Sequence, residues 1–277
     1  MFQYALGRRI ASEKKTSLML DLTWFNGQVD RQFQLSQFKI NATFANENET
    51  SRITNRFTNK ILKKIANKYQ HPVFDKIKPI FLEANTGQFS QRVFLCPKTC
   101  LLIGYWQSEK YFNTISDELR KEFVLVKELS SGSKKLYEQI LLDPNSVSVH
   151  IRRGDYIAQS MGHHLCSMDY YERAIDYLFQ RHTEAKFYVF SDDIEWARAN
   201  FIAQPNTVFI EPSENRLDAE ELILMSCCHH HINANSSFSW WGAWLGEKED
   251  SIVIVPNRWF VDRPFPEDRV PARWKRL

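Results

Sequence analysis

The chain has 277 residues, 36 of them Lys or Arg and 33 Asp or Glu, for a formal net charge of +3. Apolar residues make up 43 % and aromatics 14 %, enough for a packed core, which excludes global disorder and fits two domains or one large α/β unit. So balanced a charge gives no sign of nucleic-acid binding, although a local basic cluster can still hold an anion.

In chain order, QYALGRRIASEKK at 3–15 reads as a helix and SLMLDLTWF (Ser17–Phe25) as a strand. Residues 41–92 are polar and rich in Asn, Lys and Thr, a pattern of surface helices and loops. CLLIGYW (Cys100–Trp106) predicts a buried strand. SSGSKKLYEQILLDPNS (Ser130–Ser146) mixes a helix with turn residues, which puts a boundary between domains 1–142 and 143–277. From there the pattern is regular. SVSVHI (Ser146–Ile151) is a buried strand, SMDYYERAIDYLFQRH (Ser167–His182) a helix capped by Ser167, KFYVFS (Lys186–Ser191) a strand, and DDIEWARANF (Asp192–Phe201) a helix. TVFIE, LDAEELILMSCC, HHINAN, SFSWWGAWLG and SIVIVP continue as strand, helix, strand, helix, strand. This alternation with short connections implies a parallel sheet with helices on both faces. Two α/β units in series, with a cleft between them, are expected. A helix from residue 3 with no strand before it leaves the first unit without its first strand.

HIRRGDY (His150–Tyr156) follows a strand, and in open α/β sheets ligands bind at that edge. Arg152 and Arg153 put two guanidinium forks where a diphosphate would sit; the alternative is structural ion pairing, with Asp155 one partner. Alternation sends the two arginines to opposite faces, so one of them contacts the ligand. In NANSSFSWWGAW (Asn233–Trp244), Asn235, Ser236 and Ser237 lead into a helix whose open N–H groups suit an anion; plain N-capping is the alternative. Asp192 is placed to accept from the donor pair of a guanine, or, with Asp193, to hold a divalent metal, and the base contact is preferred because further oxygen ligands are lacking nearby. His229, His230 and His231 alternate faces and suit no single zinc ion, and Cys96 and Cys100 have no second pair at zinc spacing. Five cysteines imply no disulfide framework and fit a reducing cytoplasm. No apolar run of about 18 residues reads as a spanning helix, and the charged start is not a signal peptide.

The segments MFQYALGRR, GYWQSEKYF (Gly104–Phe112), VSVHIRRGDY (Val147–Tyr156), YVFSDDIEW (Tyr188–Trp196) and LMSCCHHHINANSSFSWWGAWL (Leu224–Leu245), spread over nearly the whole chain, resemble the bacterial α-1,2-fucosyltransferases of glycosyltransferase family 11. The resemblance implies a GT-B-like fold of two Rossmann-like domains, the first acceptor-side and the second nucleotide-sugar-binding. It implies GDP-fucose as donor, a galactose-terminated glycan as acceptor, inversion at the anomeric carbon, and neither metal nor cofactor. It also implies Arg152 on the diphosphate with Arg153 beside it, His150 and Asp192 at the guanosine, and Asn235, Ser236 and Ser237 around the phosphates. Asp155 is the candidate general base, with Glu109 a second, and the expected location is cytoplasmic or peripheral on the inner membrane face. Family members carry a short strand and a GGLGNQ-type loop before the MFQYALGR segment at which this sequence opens, which keeps a non-catalytic, carbohydrate-binding relative as an alternative. Another donor or linkage is the remaining one.

Overall fold

The computed structural model describes residues 1–26, 32–54, 80–83, 87–154, 164–201, 205–213 and 216–277. They divide into two compact units, Met1–Val126 with Pro266–Pro271, and Lys127–Phe265 with Ala272–Leu277.

Unit one opens on α1 (Phe2–Lys14), which stops where Lys15 turns left-handed at φ 50°. That turn returns the Lys15 and Thr16 N–H groups to the Ser12 and Ala11 carbonyls. The helix buries Phe2, Tyr4, Leu6 and Ile10, and the Tyr4 and Phe38 rings both meet Phe123 edge-on. The Tyr4 hydroxyl donates to Glu122, which also accepts from Arg8 Nε at 2.8 Å, so a carboxylate ties α1 to the later helix α3 (Ser116–Glu122). Between them lie β1 (Met19–Leu20), β2 (Thr43–Phe44), α2 (Glu47–Thr54), β3 (Ile80–Leu82) and β4 (Leu101–Ile103). They form two parallel pairs, β1–β2 and β3–β4.

The long strand expected at Ser17–Phe25 is cut to β1 because Asp21 Oδ1 accepts the Thr23 N–H at 2.9 Å and starts a 3₁₀ turn, Thr23–Phe25. The strand expected at Cys100–Trp106 is β4 alone and is only half-buried, since it pairs with β3 on one side and Gly104 turns the chain away. Most of 55–79 lies outside the described residues.

Unit two holds the regular sheet. Its elements are α4 (Ser131–Leu141), β5 (Ser146–Ile151), α5 (Met168–Phe179), β6 (Lys186–Ser191), α6 (Ile194–Asn200), β7 (Thr207–Phe209), α7 (Asp218–Cys227), β8 (His230–Ile232), α8 (Ser237–Gly246), β9 (Val253–Val255) and β10 (Lys275–Arg276). The strand order is β10-β9-β8-β5-β6-β7, with parallel pairing throughout. β10 was not expected: a two-residue Lys-Arg strand carries no hydrophobic pattern, and it forms because the chain end finds β9. The unit also begins earlier than residue 143. α4 joins it because Glu220 of α7 accepts from Ser130 and Ser133 at 2.7–2.9 Å.

β5 is buried on both faces, as a central parallel strand should be. Val147, Val149 and Ile151 meet Tyr170, Tyr171, Ala174 and Leu178 of α5. On the other face Tyr188 and Phe190 of β6 pack with Ile140, Leu224 and Met225. Ser167 and Asp193 cap α5 and α6 as the sequence suggests. Ser148, the polar residue in mid-strand, bonds His231 Nδ1 of the neighbouring strand at 2.7 Å. Among the described residues no helix is long and apolar enough to cross a membrane.

His231 is buried and held neutral, its pKa pulled down to about 3 by loss of solvation, and the same burial takes His150 to about 3 and His230 to about 4. Each protonates more easily in the unfolded chain, near pH 6.5, so their contribution to stability is complete above that pH and falls away as pH drops toward 4. Urea midpoints measured from pH 7.5 to 4.5 should decline most steeply below 6.5. A flat profile would contradict the buried neutral state. Ser148→Ala, which leaves the His231 ring without that bond, should cost about 1–3 kcal/mol in the same assay.

Candidate functional site

The chain leaves β5 for β6 and β7 on one side, then returns to β8 on the other side of β5. Between β5 and β8 the strand order reverses, and in open α/β sheets the carboxyl ends of the strands at such a point are the usual ligand position. Two consecutive tyrosines of α5 hold the two strand ends: the Tyr171 hydroxyl donates to His150 O at 2.9 Å and the Tyr170 hydroxyl to Asn233 O at 2.6 Å. Two buried polar atoms at these ends, His150 Nδ1 and Asn233 Nδ2, have no hydrogen-bond partner among the described residues. Buried polar groups are normally paired, so these two atoms single out the ends of β5 and β8 as a candidate ligand position.

Past β5, the Asp192 carboxylate organises the turn. Its Oδ1 accepts the Arg153 N–H at 2.8 Å, its Oδ2 accepts the Gly154 N–H at 2.9 Å, and Arg152 Nη1 lies 3.1 Å from Oδ2. A side chain at Gly154 would put its Cβ 2.8 Å from Oδ2, so the close approach requires glycine. Arg153 turns elsewhere: its guanidinium lies 3.4 Å over the Trp196 ring, with Nε 3.6 Å from Asp193 Oδ2. Asp193 Oδ1 accepts the Trp196 N–H at 3.2 Å and caps α6. The two arginines therefore separate as strand alternation suggested, Arg152 toward Asp192 and Arg153 toward α6. The ion-pair partners come from the β6 loop. Asp155, the partner expected from sequence, lies outside the described residues.

Asp192 and Asp193 thus spend their oxygens on N–H and guanidinium donors. A divalent cation would need those oxygens turned toward it.

Past β8, the three residues expected around the phosphates have different positions. Asn235 is buried, donating from Nδ2 to His164 O at 2.6 Å and to Trp259 O at 2.8 Å, while its Oδ1 lies 3.5 Å from Cys166 Sγ. Its side chain fastens two loops together. Ser236 caps α8 by accepting the Phe238 N–H at 3.2 Å. Ser237 is exposed on the first turn of α8, where helix N–H groups and the dipole favour an anion. The four aromatic residues after it divide as expected for packing: Trp240, Trp241 and Trp244 are buried against one another, while the Phe238 ring lies 5.9 Å from that of His150.

Glu221 was not singled out from sequence. It stands on α7, where burial lifts its carboxyl to about 7, with Arg216 and Arg152 opposing and Asp218 and Asp192 adding to the rise. A carboxyl perturbed in this way, with Arg152 among its charged neighbours, is a functional-site candidate. Its only sequence signal is the excess of acids, Asp218, Glu220 and Glu221, at the start of α7. A cavity of about 690 Å³ lined by Arg9, Phe89, Phe94 and Lys110 lies in unit one and shares none of these residues.

Asp192→Ala would remove the acceptor of two exposed N–H groups and the contact to Arg152, and should lower stability by about 1 kcal/mol. Urea titration beside the wild-type chain would show this, and an unchanged midpoint would mean that the turn holds without the carboxylate.

The family model described as "Glycosyl transferase family 11" matches residues 1–275. Among curated proteins, the chain is 36 % identical to an Escherichia coli "Alpha-1,2-colitosyltransferase", over all of this chain and 94 % of that one. It is 34 % identical to the Escherichia coli "O-antigen biosynthesis glycosyltransferase WbnK", over 94 % of this chain and 91 % of the relative. Among solved structures, the fucosyltransferase NodZ from Bradyrhizobium superposes with a TM-score of 0.52 at 12 % identity, covering 87 % of each chain. That last likeness is one of fold, and it makes the α/β architecture GT-B-like, as the sequence led one to expect.

Proposed function

The chain belongs to glycosyl transferase family 11, and from that premise we propose that it transfers L-fucose from GDP-fucose, with inversion, to the 2-hydroxyl of a terminal galactose. In this reading it is a galactoside 2-alpha-L-fucosyltransferase that works without a metal ion. The observation that carries the reading is the Arg152–Asp192 lock beside the strand-order reversal. It sets a guanidinium, held by a carboxylate, past the end of β5, and α8 starts past the end of the neighbouring strand β8.

The chemistry follows from where charge moves. In an in-line displacement the sugar passes through an oxocarbenium-like state while negative charge grows on the departing diphosphate. Groups already oriented toward that charge lower the barrier without reorganising. Arg152 and the open N–H groups of α8 at Ser237 take this part, and they supply the positive charge that a divalent ion would bring elsewhere. Arg153 supports the turn through Trp196. Asn235 and Ser236 hold the loop and the helix start. Asp155 remains the candidate base for the acceptor hydroxyl.

The guanosine end is reassigned. Asp192 already accepts from two N–H groups and Arg152, whereas Glu221 is the carboxyl nearby with a perturbed proton affinity. We assign the guanine N1–H and N2–H₂ donor pair to Glu221, and keep neutral His150 at the guanosine.

A second donor deserves a place because the 36 % identical relative is named a colitosyltransferase. Colitose is fucose without its 3-hydroxyl, so a site built to bond that hydroxyl rejects it strongly, while an apolar one accepts both. Comparing kcat/KM for GDP-fucose and GDP-colitose on a β-galactoside decides between them.

Arg152→Ala should abolish detectable product and weaken GDP binding by about a hundredfold in calorimetry, with the circular dichroism unchanged. Near-normal turnover would end the phosphate assignment. Glu221 titrates at about 7, and its ionised form is the one that accepts from guanine. GDP affinity should therefore fall as pH drops from 8 to 6, beyond what the phosphate itself contributes. Glu221→Gln should bind more weakly and lose that extra dependence; parallel pH profiles for the two proteins would exclude the base contact.

A further inference from the structure

The donor site leaves two sequence segments unused, MFQYALGRR and GYWQSEKYF, and the second, Gly104–Phe112, lies in unit one. It follows β4, and Glu83 follows the partner strand β3, so both stand at the carboxyl edge of a parallel pair. The Glu83 N–H continues the ladder to Ile103 O at 2.9 Å. Its carboxylate then folds onto the next turn. Oε2 accepts the Tyr105 N–H at 2.6 Å and Oε1 accepts the Trp106 N–H at 3.1 Å.

The turn is strained. Trp106 has φ 55°, a left-handed conformation that a bulky residue adopts only when its surroundings force it. Its indole is 3 % exposed and meets the Tyr111 ring edge-on at 5.5 Å. The indole N–H has no hydrogen-bond partner among the described residues. Gly104 makes room, since a Cβ there would collide with the Glu83 side chain and lie 2.9 Å from the indole. The outcome is that Tyr105 stands outward, 61 % exposed, directly beside a half-buried carboxylate.

A packed loop has no need of this arrangement. It strands one donor, strains one backbone, and spends a half-buried carboxylate to present an aromatic ring to solvent. The combination matches one ligand chemistry. A pyranose offers an apolar C–H face to an aromatic ring, hydroxyls that donate to a carboxylate, and hydroxyl oxygens that accept from an N–H. A purely apolar ligand would leave the Trp106 N–H unpaired.

We propose that Glu83, Tyr105 and Trp106 form the subsite that seats the neutral pyranose of the acceptor, a proposal that rests on the glycosyl-transfer reading above. Tyr105 carries the ring, Glu83 accepts a hydrogen bond from a hydroxyl, and the Trp106 N–H donates one to a hydroxyl oxygen. These residues bind and orient the acceptor; none of them takes part in bond breaking.

The test uses the full chain with methyl β-D-galactopyranoside as probe. Saturation-transfer NMR reads its binding, kinetics read its KM with GDP-fucose, and calorimetry reads GDP separately. Tyr105→Ala, a change at an exposed side chain, should remove the galactoside signal and raise the acceptor KM at least tenfold, with GDP affinity and melting temperature unchanged. Trp106→Phe, which keeps a ring and deletes the N–H, should raise that KM by roughly tenfold. An unaltered galactoside signal and KM in Tyr105→Ala overturns the proposal, as does absence of the signal in the wild-type protein. A wild-type chain that shows the galactoside signal but binds no GDP would instead refute the donor assignment in unit two and leave this subsite standing.

Discussion

Where β5 ends, a run of backbone N–H groups passes out of the sheet and needs acceptors. Asp192, arriving from the end of β6, supplies them. One carboxylate accepts from Arg153 and Gly154 and holds the Arg152 guanidinium. Much of unit two's carboxyl edge follows from that contact. It fixes where Arg152 stands, leaves Arg153 to Asp193 and Trp196, and demands glycine at 154. Tyr170 and Tyr171 complete the frame by holding the ends of β8 and β5 from a single helix. A site set on strand ends and braced by second contacts can be rigid before its ligand arrives, and that is the condition for stabilising charge as it develops.

The charges of this edge are close to balanced. Arg152 and Arg153 each face an aspartate, His150 is neutral, and Glu221 sits at the midpoint of its titration near pH 7. In the proposed reading an incoming diphosphate brings the excess charge, and Arg152 divides its interactions between ligand and Asp192. The exposed first turn of α8 adds N–H donors that cost nothing to reorient.

The same device recurs in unit one. Glu83 accepts the two consecutive N–H groups after β4 as Asp192 accepts the two after β5. In both places a neighbouring strand lends a carboxylate to a turn, a glycine makes the approach possible, and a side chain is set outward. The difference lies in what the turn presents. Unit two offers a guanidinium, suited to phosphate, and unit one an aromatic ring, suited to a sugar face.

Local and repetitive features were legible in the sequence. The alternating β-branched run of β5, the apolar spacing of α5, and the caps Ser167 and Asp193 depend on residues within a few positions of one another, and all are present. The arginine and NSSFSWWGAWL segments identified the family for the same reason: each is continuous in the chain. Tertiary structure decided the rest. Asp192 reaches Arg153 across 39 positions, and Asn235 reaches His164 across 71, distances over which spacing says nothing about contact. So Asn235 became a fastener of loops, Asp192 the organiser of the arginine turn, and Glu221 a carboxyl near neutrality. The sheet likewise extends to β10 and α4 joins unit two. Residue type alone determines which chemistry is available; which groups are desolvated together, and so which of them shift their charge, is set only when the chain folds.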